Sequence, residues 1–401
     1  MSSARVEVFY QAHRGAVDEA PENTLPAFRH AWRYPGAIPE TDVRVTADGA
    51  LVCVHDATLA RTTDAPAAVA TRPVAEMALA EVKAVDAGVR FGAAFRGQRV
   101  PTLDELLAEM VQQPGRRLFV EPKAVDLRVL RAKLDEYAVT EQVIFVSGYP
   151  AILAEIQRVF PGAPAMTWVG GTPEAIRAGV ARWLEAGAPH LSHLQLHLPV
   201  VQARAEPESG PAYALEDEYL AETQRRLNAL GVEMQLRPFA VTEGALRRFV
   251  QMGVRWFVTD GPAAFWRTLA AALLPQDAAQ GEPEPIYHIA PLRTWYAALA
   301  AGEYRAASLA AEGFIHCSTR GQVLRVANRF FMADDELVVL CIDPRAVQAA
   351  LRFEAPAHAD DSPVQEVFPH VYGALPLGAV VAIADLRRGA HGDFVWPEAL
   401  P

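Results

Sequence analysis

The stretch VEVFYQAHRGAVDEAPENTLPAF, residues 6–28, sets the reading of the whole chain. It opens on an apolar run rich in Val, Phe and Tyr, which suits a strand. The run ends on the charged pair His13-Arg14, then come a glycine, an acidic loop and Pro-Glu-Asn-Thr, and only after that a helix-like segment. A strand that ends in polar groups and turns into a helix is the repeating unit of parallel α/β proteins. In such proteins the carboxyl ends of the strands are where chemistry collects.

The unit recurs along the chain. Strand-like runs lie at 6–13, 37–45, 117–123, 142–148, 164–170, 193–198, 233–239 and 255–261. Helical stretches at 24–34, 102–113, 126–138, 150–160, 173–187, 217–230, 242–252 and 262–274 separate most of them. Eight strands, each followed by a helix, predict an α/β fold of the TIM (β/α)8 barrel type. One connection is enlarged: ADGALVCVHD, residues 47–56, carries the hairpin turn signal Asp48-Gly49, and an insertion runs on from it to about residue 100. The rhythm stops near residue 274. Residues 275–284, PQDAAQGEPE, lack periodicity and read as a linker. The remainder, 285–401, is long enough for a small α+β domain. The expected organisation is therefore a barrel over 1–274, a linker, and an accessory domain over 285–401.

Composition narrows the function. The 401 residues are 51% hydrophobic and 21% charged, as in globular proteins, with a net charge of −11. An acidic surface argues against nucleic acid and against stable association with anionic membranes, and in favour of a small-molecule partner. Cys53, Cys317 and Cys341 are scattered and odd in number, which reads as free thiols in a reducing compartment. With no signal-like start and no run of about 18 apolar residues, the expected location is cytoplasmic. The sequence sets no oligomeric state.

His13-Arg14 needs partners, and three short stretches supply them. In Glu40-Thr41-Asp42 the two carboxylates share a face by strand alternation. They repel unless a cation lies between them, and hard oxygen donors suit one divalent cation, Mg²⁺ or Ca²⁺. The bland alternative is a solvated edge or an ion pair with Arg44. Glu121-Pro122-Lys123 closes the run LFV, with Glu121 a candidate third oxygen ligand and Lys123 a candidate phosphate partner. His55-Asp56 ends the run LVCV and offers a second imidazole, the side chain suited to proton transfer near neutral pH. Taken singly, each is as well read as an exposed strand end. Together they are the parts in-line phosphodiester cleavage requires: a metal and cations on the phosphate, one base and one acid.

The ordered set HRG (13–15), PENT (21–24), ETDV (40–43), HD (55–56) and EPK (121–123), with PTLDELL at 101–107, resembles the glycerophosphodiester phosphodiesterase family over residues 6–270. The resemblance implies metal-dependent hydrolysis of glycerophosphodiesters to glycerol 3-phosphate and an alcohol. It also implies Glu40, Asp42 and Glu121 as metal ligands, His13 and His55 as the acid/base pair, and Arg14 and Lys123 as phosphate partners. A lysophospholipase D-type activity on lipid diesters is an alternative, with the insertion 64–100 supplying an apolar patch. The chain departs from the family where the seventh barrel strand ends. A Trp-containing string is usual there, and this chain has Gln235-Leu236-Arg237-Pro238-Phe239, which adds a cation to the mouth. His193, Gln195 and His197 alternate along another strand, with His190 just before it. A polar wall is one reading of them and a second metal site another.

Beyond the linker, YHIAPLRTW, SLAAEGFIHCS, QVLRVANRFF, LVVLCID and FPHVYGALP, within 287–376, resemble domain-of-unknown-function family nine-five-two over 285–398. This implies an ADP-ribosyltransferase-like fold. His288, His316, Ser318 and His370 are polar residues inside apolar runs. They read either as hydrogen-bonded core or turn residues, or as a nucleotide or ADP-ribose pocket with Glu354 or Glu366 as its acid. In the latter case the barrel would be a scaffold.

Overall fold

A computed structural model describes residues 7–200, 212–273, 284–333, 336–355 and 366–400. Apart from Glu284, the expected linker lies outside them. The chain forms two compact units. One holds the described residues up to Phe265 except Arg33–Pro35, and the other holds Arg33–Pro35 with the described residues from Trp266 onward.

The first unit is the barrel. Strands β1 (Phe9–Ala12), β2 (Ala37–Val45), β3 (Leu51–Cys53), β4 (Leu118–Pro122), β5 (Val143–Val146), β6 (Ala165–Val169), β7 (His193–Leu198), β8 (Glu233–Pro238) and β9 (Trp256–Thr259) form one sheet. The order is β1-β9-β8-β7-β6-β5-β4-β2-β3, and β1 also pairs with β2, which closes the ring. Every pairing is parallel except β2 with β3, the hairpin that Asp48-Gly49 announces. The helices follow the expected alternation, from Leu25–Ala31 after β1 to Pro262–Ala272 after β9. Thr102 caps helix Leu103–Met110 with the reciprocal Thr102/Glu105 bonds of a capping box.

Strand alternation explains how one sequence yields both a packed barrel and a charged mouth. A buried cluster takes Ile38 from β2, Phe119 from β4, Ile144 and Val146 from β5, Met166 from β6 and Trp256 from β9. Residues from so many strands meet only inside the ring. On β1 and β8, Gln235 donates to Gln11 across the intervening β9, at 3.3 Å. Two residues further along come His13 and Arg237. The same step of two leads from Ile38 through Glu40 to Asp42, and from Phe119 to Glu121. The interior thus runs from apolar to charged toward the carboxyl ends.

The insertion after β3 has its own core. Leu59, Val74, Met77 and Val82 pack with Val52, Val54 and Val100, all buried. Its apolar residues are largely spent inward, although Phe91 is exposed.

In the second unit β10 (Ile286–Pro291), β13 (Leu337–Ile342) and β17 (Val380–Leu386) form an antiparallel sheet in the order β10-β13-β17. A second sheet has the order β12-β15-β14, built from β12 (Ile315–His316), β14 (Ala350–Glu354) and β15 (Phe368–Tyr372). Strands β11 (Glu303–Tyr304) and β16 (Leu375–Pro376) pair separately. Helices Leu292–Ala301 and Arg320–Phe330 complete an α+β unit.

The turn after β1 ties fold to site. Gly15 has φ +90°, and a Cβ there would lie 2.7 Å from the Ala27 Cβ on the following helix. Neighbouring Arg14 also takes a positive φ, 49°, and its backbone N–H donates to Glu40 at 2.8 Å. Gly15→Ala is therefore expected to lower unfolding stability by about 1–3 kcal/mol in urea titrations. An unchanged midpoint would show that the turn has room to shift.

Candidate active site

Parallel pairing of β2 with β4 sets Asp42 opposite Glu121. Ligand atoms of Glu40, Asp42 and Glu121 all lie within 4.8 Å of one another. Glu40 and Asp42 are buried, and Glu121 is half-buried. Burial, followed by the charges of Asp42 and Glu121, pushes the Glu40 carboxyl well above the usual carboxylate range. Burial likewise raises Glu121. Two cations temper this charge. Lys123 Nζ lies 2.7 Å from Glu121 and 3.3 Å from Asp42, and Arg14 Nε lies 3.7 Å from Asp42. Burial works to lower the Lys123 ammonium, but Asp42 and Glu121 hold it above its ordinary value.

Asn23 orders this cluster. It sits at φ 53°, donates to Asp42 Oδ2 at 3.1 Å, and accepts from the Thr41 hydroxyl and the Asp42 N–H at 2.8 and 3.2 Å. Its other carboxylate oxygen, Asp42 Oδ1, is buried and faces the Lys123 ammonium at 3.3 Å. An all-oxygen donor set of three carboxylates within 4.8 Å, two of them buried, fits a hard divalent cation.

The two histidines stand in matching surroundings. His13 Nδ1 is 2.6 Å from Asp260 Oδ1, and Arg237 reaches both oxygens of Asp260 at 3.2 and 3.3 Å. His55 Nδ1 is 2.8 Å from Asp56, which accepts from Arg61 at 2.7 and 3.1 Å. Arg61 continues to Glu22, at 2.6 and 2.7 Å, and Glu22 accepts from Arg14 at 3.0 Å. The Arg61 hydrogen bonds hold Asp56 at about 2. Burial favours a raised Asp260, yet the His13 hydrogen bond and the Arg237 charge outweigh it and hold that carboxyl at about 2. Arg44, the alternative ion-pair partner of the acidic pair, instead donates to the His55 carbonyl at 3.0 and 2.7 Å.

The structure thus brings His13, Arg14, Glu40, Asp42, His55, Glu121 and Lys123 to one end of the barrel. Asp260, Glu22 and Arg61 belong with them and were not singled out in the sequence. Their signals were present: Asp260 follows a strand end in VTDG, and Glu22 and Arg61 lie in PENT and ARTT. The histidines of β7 do not form a second centre. His190 is exposed in the preceding turn. His193 is buried edge-on against Trp256 at 4.3 Å, and burial lowers its imidazole to about 3. His197 lies two steps along at the mouth, beside Phe239 at 5.8 Å, and burial lowers it to about 4.

In the second unit the candidates separate. His288 is sealed in, with Nδ1 2.6 Å from the His316 carbonyl and Nε2 2.8 Å from the Tyr304 hydroxyl. Burial lowers it to about 4. Ser318 is buried and bridges Tyr287 through backbone bonds. His316 and His370 pair across β12 and β15, with rings 5.4 Å apart. His316 contacts Glu312 at 3.0 Å, and His370 contacts Glu354 at 3.3 Å. Glu366 accepts from Gln322 at 3.0 Å instead of joining them.

An eight-stranded parallel barrel with a carboxylate cluster and two imidazole–carboxylate pairs at one end is an α/β barrel of the TIM type. Residues 13–264 match the glycerophosphoryl diester phosphodiesterase family, and the chain belongs to it. Residues 289–383 match a second family, described as a protein of unknown function (DUF952). The glycerophosphodiester phosphodiesterase of Caldanaerobacter subterraneus is 34% identical over 157 residues, which are 37% of this chain and 62% of that protein. That of Bacillus altitudinis is 26% identical over 63% of this chain and 94% of its own. The match to bovine glycerophosphodiester phosphodiesterase 1 covers 29% of the relative, so several of these likenesses are local. A solved glycerophosphoryl diester phosphodiesterase from Parabacteroides distasonis has TM-score 0.51 at 20% identity, over 70% of this chain and 92% of its own, and shares the fold.

The carboxylates carry a pH signature. Because Glu40 has a raised folded pKa, the stability it contributes is complete below the ordinary glutamate value of about 4.3. It is lost as pH rises through the elevated folded value. Metal-free protein is expected to lose melting temperature from this source as pH rises above the ordinary carboxylate range. Glu40→Gln should flatten that loss, and Mg²⁺ or Ca²⁺ should offset it, more strongly at pH 7.5 than at pH 5. Scanning calorimetry with and without EDTA reads all three, and no metal effect at either pH would count against the site.

Proposed function

We propose that this chain is a metal-dependent phosphoric diester hydrolase that cleaves glycerophosphodiesters to glycerol 3-phosphate and an alcohol. The observation that carries the reading is the single mouth where the Glu40–Asp42–Glu121 cluster meets His13 and His55. Family membership supports it. We assign Glu40, Asp42 and Glu121 as ligands for one divalent cation, Mg²⁺ or Ca²⁺, which when bound supplies positive charge to the phosphate's non-bridging oxygens. Arg14 and Lys123 bind the phosphate and disperse the charge that develops on it. His13 and His55 exchange protons at the reacting oxygens. One takes the proton of the attacking water or adjacent substrate hydroxyl, and the other returns one to the leaving alkoxide. Each imidazole has a carboxylate on Nδ1, which leaves Nε2 for that transfer.

The inward packing of the 64–100 insertion supports a small polar diester over a lipid one. We propose residues 285–401 as an α+β accessory domain outside this chemistry. No helix among the described residues is long and apolar enough to cross a membrane.

Glycerol 3-phosphate release from glycerophosphocholine, with Mg²⁺, with Ca²⁺ and with EDTA, tests the reading. Release is expected with metal and not with EDTA. Absence of release under either metal overturns it, and faster turnover of a lysophospholipid would transfer the assignment to lipid diesters. His13→Ala and His55→Ala should each lower kcat by about 10²–10⁴ with melting behaviour retained. His370→Ala in the full chain should leave turnover unchanged, and a large loss would tie the second unit to the reaction.

A further inference from the structure

We propose that Asp260 and Arg237 act as a positioning pair for His13, fixing its proton on Nδ1 and directing Nε2 to the substrate. The proposal rests on the reading of His13 as a proton carrier. It concerns two residues that no motif near His13 announces: Asp260 is 247 residues away in sequence and Arg237 is 224.

Barrel closure creates the contact. β1 pairs with β9 in the register Ala12–Thr259, and the His13 N–H donates to the Thr259 carbonyl at 3.0 Å. The next residues, His13 and Asp260, therefore leave neighbouring strands together. The Asp18 N–H donates to the Asp260 carbonyl at 3.0 Å and anchors the far side.

The proton's place follows from donors and acceptors. An ionised carboxylate only accepts hydrogen bonds, so at 2.6 Å the His13 Nδ1 is the donor. Arg237 also lies 3.2 Å from that nitrogen, but a guanidinium only donates. Its hydrogen bonds therefore go to the two oxygens of Asp260. Nε2 is left as the nitrogen with a lone pair. Arg237 has a second effect, because its charge and that of Arg14 oppose protonation of the ring, while Asp260 favours it. Burial is the largest influence and lowers the His13 pKa below its ordinary value. The other charged or titratable groups that bear on this cluster are Asp18 and His197.

Two variants pull the His13 pKa in opposite directions. Asp260→Asn removes the anion, so the limb of the kcat/KM–pH profile that belongs to His13 moves to lower pH. Arg237→Gln removes a cation, so the same limb moves to higher pH, and Arg237→Lys restores it. A structural role alone would cost rate without moving the limb in opposite senses. Asp260→Asn should also lower kcat by about 10² or more with KM little changed, and it should add no further loss in a His13→Ala background. A second readout needs no turnover. In protein with ¹⁵N-labelled histidine, long-range ¹H–¹⁵N spectra, assigned by loss of signals in His13→Ala, should show the Nδ1–H tautomer in the wild type and its disturbance in Asp260→Asn. If the wild type has no diesterase activity, the proposed function fails, while the spectra still decide the pairing. If the wild type is active but the tautomer and the limb are unmoved in Asp260→Asn, this inference alone is overturned.

Discussion

Three carboxylates gathered within 4.8 Å at the end of a protein barrel are a costly arrangement, and much of the first unit is organised around them. Parallel pairing of β2 and β4 puts Asp42 against Glu121, and alternation along β2 adds Glu40. The turn after β1, with Gly15 and Arg14 at positive φ, exists to bring a backbone N–H to Glu40 and a guanidinium to Asp42. Asn23 accepts an unfavourable backbone conformation for the same reason, since it bridges Thr41 and Asp42. Asp42 Oδ1 in turn faces the Lys123 ammonium at 3.3 Å.

Around that centre, charge is passed outward in chains. Glu22 accepts from Arg14 and from Arg61, and Arg61 holds Asp56 against His55. Arg237 holds Asp260 against His13. Each imidazole has one nitrogen committed to a carboxylate, and each carboxylate is also hydrogen-bonded by an arginine. The two arrangements differ in origin. His55 and Asp56 are neighbours in sequence, whereas His13 depends on strands that meet only when the ring closes.

Among its described residues the second unit has no such carboxylate cluster. Its histidines divide between a sealed core position, His288, and a cross-strand pair, His316 and His370, each beside its own glutamate. Among the described residues the one group of three or more candidate ligands close enough for a metal lies in the barrel.

What the sequence by itself determined is whatever depends on short range. Period-two alternation put Glu40 with Asp42 and Glu121 with Lys123. Turn chemistry marked the Asp48-Gly49 hairpin, and the alternation of strand and helix patterns was enough for the barrel. Sequence distance does not encode which strand ends become neighbours. The roles of Asp260 and Arg237 therefore waited on the β9–β1 closure, and the separation of His193 from His197 along the barrel axis waited on knowing which end of β7 faces the mouth. The same holds for His288, whose burial against Tyr304 comes from strands far apart in the chain. Local periodicity is written in the chain because each residue's neighbours at two to four positions are fixed by backbone geometry. Contacts between remote strands are decided by the register of the closed sheet, and only the folded barrel supplies that.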